Sequence, residues 1–194
     1  MMGVDRFETY CRIVEDLKIG KDNDVRRTLI SELPFEILPR EHRSYSIGQK
    51  LRLFFRDGFI DRYSGEKLLN PGFLRVLSDL FPKEFPYHLN WKQTECHQAW
   101  WMRYPTVDHL IPIARGGKNE PDNWITTSML HNQAKLNWTI EELGWKLHEP
   151  GRIEEWDGLS ASFLVIVEAR TTLLNDKYIR DWYHATKKIL GGYK

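Results

Sequence analysis

Residues 106–135, TVDHLIPIARGGKNEPDNWITTSMLHNQAK, are the most informative stretch of this chain, and the expected fold is built around them. Apolar spacing and turn residues divide the stretch into short elements. The elements it predicts are, in order, a strand at 105–110, a turn at Arg115-Gly116-Gly117, a strand at 124–126 and a helix at 127–137. We therefore expect two strands joined by a glycine loop and followed by a helix.

An acidic residue and a histidine stand next to each other on the first predicted strand. The Asp108 carboxylate is a hard oxygen ligand suited to Mg²⁺ or Mn²⁺. The His109 imidazole has an ordinary pKa near ~6.5, so its neutral form can take a proton at physiological pH. Because side chains alternate across a strand, the two are expected on opposite faces unless the strand bends into the loop. A metal ligand beside a general base is what phosphodiester hydrolysis requires.

The order and spacing of further residues strengthen this interpretation. The positions that form the pattern are Asp108, His109, Pro112, Gly116, Gly117, Asp122, Asn123, Asn132 and Lys135. Over residues 106–135 they resemble the HNH endonuclease motif of the ββα-metal fold. The resemblance implies an α+β protein that is mainly α-helical, with a central ββα-metal (HNH) finger.

The resemblance also implies a role for individual residues. Asp108 and Asn132 would be ligands of Mg²⁺ or Mn²⁺, Asn132 through its amide oxygen. His109 would be the general base on water, and Asn123 would hold the loop and the strand pair in shape. Lys135 stands at the usual trailing basic position of the motif. The candidate nucleic-acid contacts are Lys135, Arg115 and Lys118.

His131 competes with Asn132 for the last position of the motif. Neighbouring helical residues point about 100° apart, so only one of the two can face an ion well. Asn132 stands nine residues after Asn123, which is the register of the family. An asparagine-ended variant occurs in the HNH domain of the RNA-guided CRISPR nucleases. Asn132 is therefore preferred, and His131 remains the alternative.

Many HNH proteins also hold a structural zinc with two Cys-x-x-Cys pairs. The segment 58–65, GFIDRYSG, keeps the frame of the first pair without its cysteines. The four zinc positions read Asp61, Ser64, Ser128 and His131, which is a poor tetrahedral zinc set. We therefore expect no structural zinc, with packing of the aromatic-rich segment 85–104 in its place. His131 would be a relic of the site or a hydrogen-bond donor.

Helical patterns dominate the rest of the chain. A helix is expected over 5–18, and Cys11 lies on its apolar stripe, which favours packing in a core. Capping signals predict further helices that begin near Asp22 or Asp24, at Ser44 or Ser46, after Asn70 and at Thr139. A short strand is expected at Phe59-Ile60. Long helices are expected over 158–174 and 176–190. The regions are an N-terminal helical region 1–57, an HNH nuclease core with a Trp-rich insertion 58–150 and a C-terminal helical extension 151–194, expected as one compact unit.

The composition predicts a cytoplasmic protein and leaves its partner open. Lys and Arg total 28 and Asp and Glu 27, a net charge of +1, which neither indicates nor excludes nucleic acid. Cys11 and Cys96 stand outside any metal-spaced pair, as is typical of a reducing compartment. A thiol nucleophile at Cys96, next to His97, is less favoured than packing. The N-terminus lacks a secretory pattern, and every apolar run is too short to cross a membrane.

The leading hypothesis is a Mg²⁺- or Mn²⁺-dependent endonuclease that hydrolyses DNA, expected to be double-stranded, with a homodimer as one option. By analogy, its size suits a restriction, phage-defence or mobile-element enzyme. The first alternative is a non-catalytic DNA-binding protein on the same fold. The second is an α-helical interaction domain with an accidental motif. Metal-dependent plasmid cleavage that EDTA stops separates the first hypothesis from the last.

Overall fold

The computed structural model describes residues 6–34 and 44–192, and there the protein is α+β. The helices are α1 Arg6–Lys18, α2 Asp22–Glu32, α3 Ile47–Arg56, α4 Pro71–Leu80, α5 Ala99–Met102, α6 Met129–Lys135, α7 Ser160–Ala169 and α8 Lys177–Gly192. The strands are β1 Pro105–His109 and β2 Trp124–Ser128, which pair antiparallel. The α+β class and the helical majority are confirmed. In the described ranges, no helix is both long and apolar enough to cross a membrane.

The chain divides into two compact units, Met1–Arg40 and Glu41–Lys194. In the described part of the first unit, α1 and α2 pair through the buried residues Thr9, Ile13 and Val25. The apolar stripe of α1 lies outside this contact, because four of its large side chains are between 47% and 70% exposed. Cys11 is exposed with them, so the expectation that it packs in a core is wrong.

The second unit is organised around α3 and α8. Helix α3 begins at a capping box in which Ser46 and Gln49 exchange hydrogen bonds, as the serine signal predicted. Its apolar face packs on α8, whose buried residues Ile179, Trp182, Tyr183 and Thr186 match the expected stripe. The core continues through further buried side chains, Leu51, Phe54, Phe55, Phe59, Val76, Phe163, Val167 and Leu173. Since α3 belongs to this core, the unit boundary falls before it and not at residue 57.

Three expected elements differ in the structure, and local backbone explains each. The helix expected over 158–174 ends at Ala169 and resumes as a 3₁₀ turn, Thr171–Asn175, so that Val167 and Leu173 both reach the core. Thr139 and Glu142 form their capping hydrogen bonds, at 3.0 and 3.3 Å, but turns and no helix follow. Phe59 is buried with φ 48°, which a strand residue cannot adopt. Only Ile60 pairs, in an isolated bridge with Lys67.

The aromatic-rich segment forms a second, smaller core. Its buried members are Leu74, Cys96 and Trp100, with Tyr87, Trp91 and Tyr104 packed around them. Trp100 donates its indole N–H to Ser78 at 3.1 Å, which satisfies its polar atom. Cys96 is buried here, in agreement with its expected packing role. This core positions the segment that leads directly into β1.

Candidate active site

The loop between β1 and β2 is held by glycine backbone and by one asparagine. Gly116 has φ +85°, and a Cβ at Gly117 would lie 1.9 Å from the Ile111 carbonyl oxygen, so neither position suits another residue. Asn123 accepts from the Ile111 N–H and donates to the carbonyls of Ile111 and Lys118, each at 2.9 Å. In this geometry Asn123 bonds the loop backbone, so it is a positioning residue in this site.

Asp108 and His109 point to opposite sides of β1, as strand alternation requires. The Asp108 carboxylate is nearly buried and accepts the Tyr63 hydroxyl at 2.7 Å. The Lys135 ammonium lies 3.2 Å from the same oxygen, Oδ2. Burial raises the pKa of Tyr63 far above its ordinary value, and the Asp108 charge adds to this effect. Tyr63 therefore stays protonated and donates to Asp108.

On its own side, the His109 ring is fixed through Nε2. The Asn119 oxygen Oδ1 accepts from Trp124 Nε1 and from the Tyr45 hydroxyl, each at 3.0 Å. An indole nitrogen can only donate, so this Asn119 atom is an acceptor. His109 Nε2 lies 3.0 Å from that acceptor and must carry the ring proton of the neutral imidazole. The other nitrogen, Nδ1, is then the basic one.

His109 Nδ1 is left without a partner in the described part of the chain. The residue is only 3% exposed, so the ring is almost completely enclosed by protein. A ring with one nitrogen held and the other basic is suited to taking a proton from water.

Helix α6 lies along β1 and brings Asn132 to the Asp108 side. Asn132 Nδ2 donates to Thr106 Oγ1 at 2.9 Å and to the Val107 carbonyl at 3.2 Å. Thr106 and Asp108 share a face of β1 because they are two residues apart. One turn further along α6, Lys135 donates to the His109 carbonyl at 2.8 Å. Asn132 and Asp108 therefore lie on one side of the hairpin.

His131 points away from this side and belongs to a separate polar cluster. Its Nδ1 lies 2.7 Å from Asp61 Oδ2 and 3.1 Å from Ser128 Oγ. Asp61 also accepts from Thr127 Oγ1 and from the backbone N–H groups of Tyr63 and Ser128, each at 2.9 Å. Burial acts to raise the pKa of Asp61, but the hydrogen bonds from His131, Ser128 and Tyr63 outweigh it and hold that pKa below its ordinary value.

Three of the four positions that the motif associates with zinc are thus joined directly by hydrogen bonds. The Trp145 ring lies beside one of them, with its centroid 5.7 Å from that of His131, and 5.3 Å from that of Tyr63. The expectation that segment 85–104 supplies this packing is wrong, since that segment builds the second core instead. The polar cluster links the segment before α4 to β2 and α6.

The three basic candidates have different environments. Lys135 is completely buried, so it cannot touch a phosphate, and the expectation that it contacts nucleic acid is wrong. Arg115 pairs with Glu142 at 3.2 Å and lies over the Trp138 ring. Lys118 is exposed on the loop. Arg115 and Lys118 therefore remain at the surface near the hairpin.

The side chains of Tyr45, Tyr63 and Asn119 were not singled out from the sequence. Tyr45 and Tyr63 reach Asn119 and Asp108 across 74 and 45 residues of chain, and no local spacing signals such contacts. Asn119 lies inside the motif, 10 residues after His109. A polar residue at the loop position opposite the histidine was the available signal.

The oxygen donors of this site fit a magnesium or manganese ion in kind. Mg²⁺ is commonly held through one or two protein oxygens and keeps several waters. Asp108 and Asn132 each have an Oδ1 that takes no hydrogen bond from the described residues, while their other polar atom is fixed by neighbours. No cluster of three His, Cys, Asp or Glu side chains suited to a metal occurs in residues 6–34 and 44–192. The donor pair would rely on water for its remaining ligands.

No family model, curated protein or solved structure matches this chain. The chemistry of the site follows from its own geometry. That geometry consists of a basic histidine nitrogen on one side of β1 and a carboxylate with a carboxamide on the other.

Proposed function

We propose that this chain is a divalent-metal-dependent endonuclease that hydrolyses DNA phosphodiester bonds. The observation that carries the proposal is the hydrogen bonding of His109, whose Nε2 is held by Asn119 while Nδ1 stays basic. A general base must be oriented by a partner and present its lone pair to solvent. The loop and strand that carry it have the order of the HNH motif.

The residues of the chain divide the reaction between them. His109 Nδ1 takes a proton from a water molecule as the water oxygen attacks phosphorus, the bond from phosphorus to the 3′ oxygen breaks, and the departing 3′ oxygen takes a proton from solvent. Asn119 and Tyr45 keep the ring in one tautomer, and Asn123 keeps the loop at its distance from β1. Asp108 and Asn132 would hold the ion on the other side of β1, so the phosphate would have to reach both sides at the end of the strand, where Asp108 and His109 are its last two residues. Mg²⁺ or Mn²⁺, when bound, supplies charge stabilisation at the phosphate and at the leaving oxygen.

A second function is favoured by one specific contact. The Lys135 ammonium lies 3.2 Å from Asp108 Oδ2 and already balances the charge that an ion would otherwise neutralise. A chain in which this pair persists would bind DNA on the same hairpin without cleaving it. The two functions differ in one measurable property, which is metal-dependent cleavage.

A plasmid assay tests the proposal. Supercoiled plasmid is incubated with the purified protein and Mg²⁺, Mn²⁺ or EDTA, and nicked and linear products are separated on a gel. We expect cleavage with either ion and none with EDTA. His109→Ala should lower the rate by about 10²- to 10⁴-fold, the range for loss of a general base.

His184→Ala is the matched control, because His184 is an exposed histidine on α8. It should cleave at the wild-type rate. Cleavage that survives in His109→Ala at full rate would overturn the enzyme proposal and point to a contaminating nuclease. DNA binding without cleavage in either metal would favour the second function.

A further inference from the structure

A cavity of about 240 Å³ lies beside β1, and one of the residues that line it is Lys50. Its walls include Thr106 and Val107 of β1, Tyr45 and Lys50 near the start of α3, and the aromatic rings of Trp91 and Tyr104. At about 30 Å³ per water molecule, the volume equals that of about eight waters. The cavity is large enough for a phosphate group and its attached sugar.

Lys50 stands out among the cations of the described residues. Its side chain makes no hydrogen bond and no ion pair with any residue in the described ranges, and none of the described residues that line the cavity is acidic. Burial lowers the pKa of Lys50 below its ordinary value, and no carboxylate of the described residues opposes that shift. A half-buried ammonium without a counter-charge is unfavourable in the free protein.

The position of Lys50 on its helix makes its uncompensated positive charge still less favourable. Lys50 lies in the first turn of α3, which begins after the cap residue Ser46 and has no acidic residue in that turn. The N-terminal end of a helix carries a partial positive charge, so a cation there is at the disfavoured end. Helix and lysine together give this cavity a positive potential that an anion would balance.

The cavity is connected to the candidate active site through Tyr45. The Tyr45 hydroxyl lies 3.3 Å from His109 Nε2 and donates to Asn119, and the Tyr45 side chain lines the cavity. Asn132 bonds Thr106 on the strand that forms another wall. A group held at Lys50 would therefore lie one side chain away from the proposed base.

The aromatic wall suits the remainder of a nucleotide. The Trp91 and Tyr104 rings meet edge to face at 4.7 Å, and Trp91 is held with φ 53°, a strained backbone state for a non-glycine residue. The second core keeps Trp91 in that state at the edge of the cavity. Aromatic rings beside a cation give the sugar of a bound nucleotide an apolar surface to pack on.

We infer that Lys50 and this cavity bind a backbone phosphate of the DNA substrate, with the adjoining sugar against Trp91 and Tyr104. The inference rests on the proposed function for the identity of the ligand and assigns that function a phosphate contact outside the motif. Lys50 is thereby a positioning residue, which holds the strand next to His109 and takes no part in proton transfer.

The test measures binding in EDTA, so that it does not depend on cleavage. Fluorescence anisotropy with a labelled DNA duplex of mixed sequence is recorded over a series of salt concentrations. Each phosphate contact contributes about 0.9 to the slope of log K against log salt concentration for B-DNA. Lys50→Gln should reduce the slope by about one and weaken binding evenly across sequences. Lys50→Arg should keep the wild-type slope.

Lys83→Gln is the matched control, because Lys83 is an exposed lysine that does not line the cavity. Its slope should equal that of the wild type, and circular dichroism melts should show that all the variants fold. A wild-type slope in Lys50→Gln, or an equal loss in Lys83→Gln, overturns the assignment of Lys50, as does a wild-type protein that binds no DNA.

Failure of the inference can be separated from failure of the proposed function. Lys50-dependent binding without cleavage in Mg²⁺ or Mn²⁺ would remove the enzyme proposal and leave the phosphate site standing. Cleavage that depends on His109, together with unchanged DNA binding in Lys50→Gln, would remove the phosphate site and leave the enzyme proposal standing.

Discussion

Two lysines border strand β1, and they differ in whether a carboxylate of the described residues balances their charge. Lys135 is completely buried, and its ammonium meets the Asp108 carboxylate at 3.2 Å and the His109 carbonyl at 2.8 Å. Lys50 is half-buried beside a cavity and has neither contact in the described residues. A buried charge is stable only when it is paired and hydrogen-bonded. The difference indicates that Lys135 is part of the fold, whereas Lys50 is completed by a ligand.

The largest expected effect is that of removing Lys135. Lys135→Ala leaves the Asp108 carboxylate buried with only the Tyr63 hydroxyl, and breaking a buried ion pair from one side costs about 3–5 kcal/mol. Urea unfolding at neutral pH would measure this loss. Lys118→Ala, at an exposed lysine on the neighbouring loop, should change the unfolding free energy by less than about 0.5 kcal/mol. Equal stability of the two variants would refute a structural role for Lys135.

Asp61 is a buried negative charge that, like the positive charge of Lys135, is stabilised by hydrogen bonds. Asp61→Asn removes an acceptor that serves four donors, and we expect a loss of about 2–3 kcal/mol at pH 7. Because the folded pKa of Asp61 lies below its ordinary value, its ionised form contributes fully above the unfolded pKa, near ~3.9, and this contribution is lost as pH falls through the folded pKa.

Unfolding curves between pH 3 and pH 7 would check this prediction. The stability gap between wild type and Asp61→Asn should narrow on the acid side of pH 4. Asp122→Asn, an exposed control in the loop before β2, should follow the wild type throughout. A gap that stays constant down to pH 3 would mean that the ionisation of Asp61 is not what stabilises the cluster.

The smallest expected effect is that of removing the charge of Lys50. Lys50→Met keeps most of the side-chain volume and removes an unpaired ammonium, so the unfolding free energy should stay unchanged or rise by up to about 1 kcal/mol. The folded pKa of Lys50 is lowered from 10.5, so wild-type stability should rise as pH increases between the folded pKa and that value. Unfolding at pH 7 and pH 10 would detect this rise in the wild type and its absence in Lys50→Met.

If Lys50→Met lowered the free energy of unfolding as much as Lys135→Ala, the two lysines would not differ in the way described above. It would mean that Lys50 has a stabilising partner and that its cavity is not an anion site. Similar unfolding free energies for Lys50→Met and wild type, together with a reduced salt slope for Lys50→Gln, would support a binding role for Lys50 and a structural role for Lys135.

Local sequence signals predicted much of the helical structure. Ser46 with Gln49 marks the start of α3, and Asn70 before Pro71 caps α4, because caps act within one turn of the chain. The α8 stripe is read from its 3.6-residue spacing. The same reasoning failed for α1, because spacing identifies an apolar face but does not say whether another element covers it.

The sequence predicted the candidate site only in part, because local rules give the direction of a side chain but not its partner. Strand alternation predicts that Asp108 and His109 face opposite sides, and helical geometry predicts that only one of His131 and Asn132 faces β1. Neither rule says what each side chain meets. His131 pairs with Asp61 across 70 residues, and Lys135 with Asp108 across 27. The burial of Lys135 reversed its expected role at the surface.

The amino-acid sequence alone determined the order strand, loop, strand and helix, the glycine pair that the loop requires, and the residue types available for hydrolysis. These features depend on backbone preferences and on spacing within a few residues. Only the tertiary structure decided which charges are paired. The pairing brings together groups from distant parts of the chain, and a charge is neutralised or left for a ligand according to what packs within a few ångströms of it.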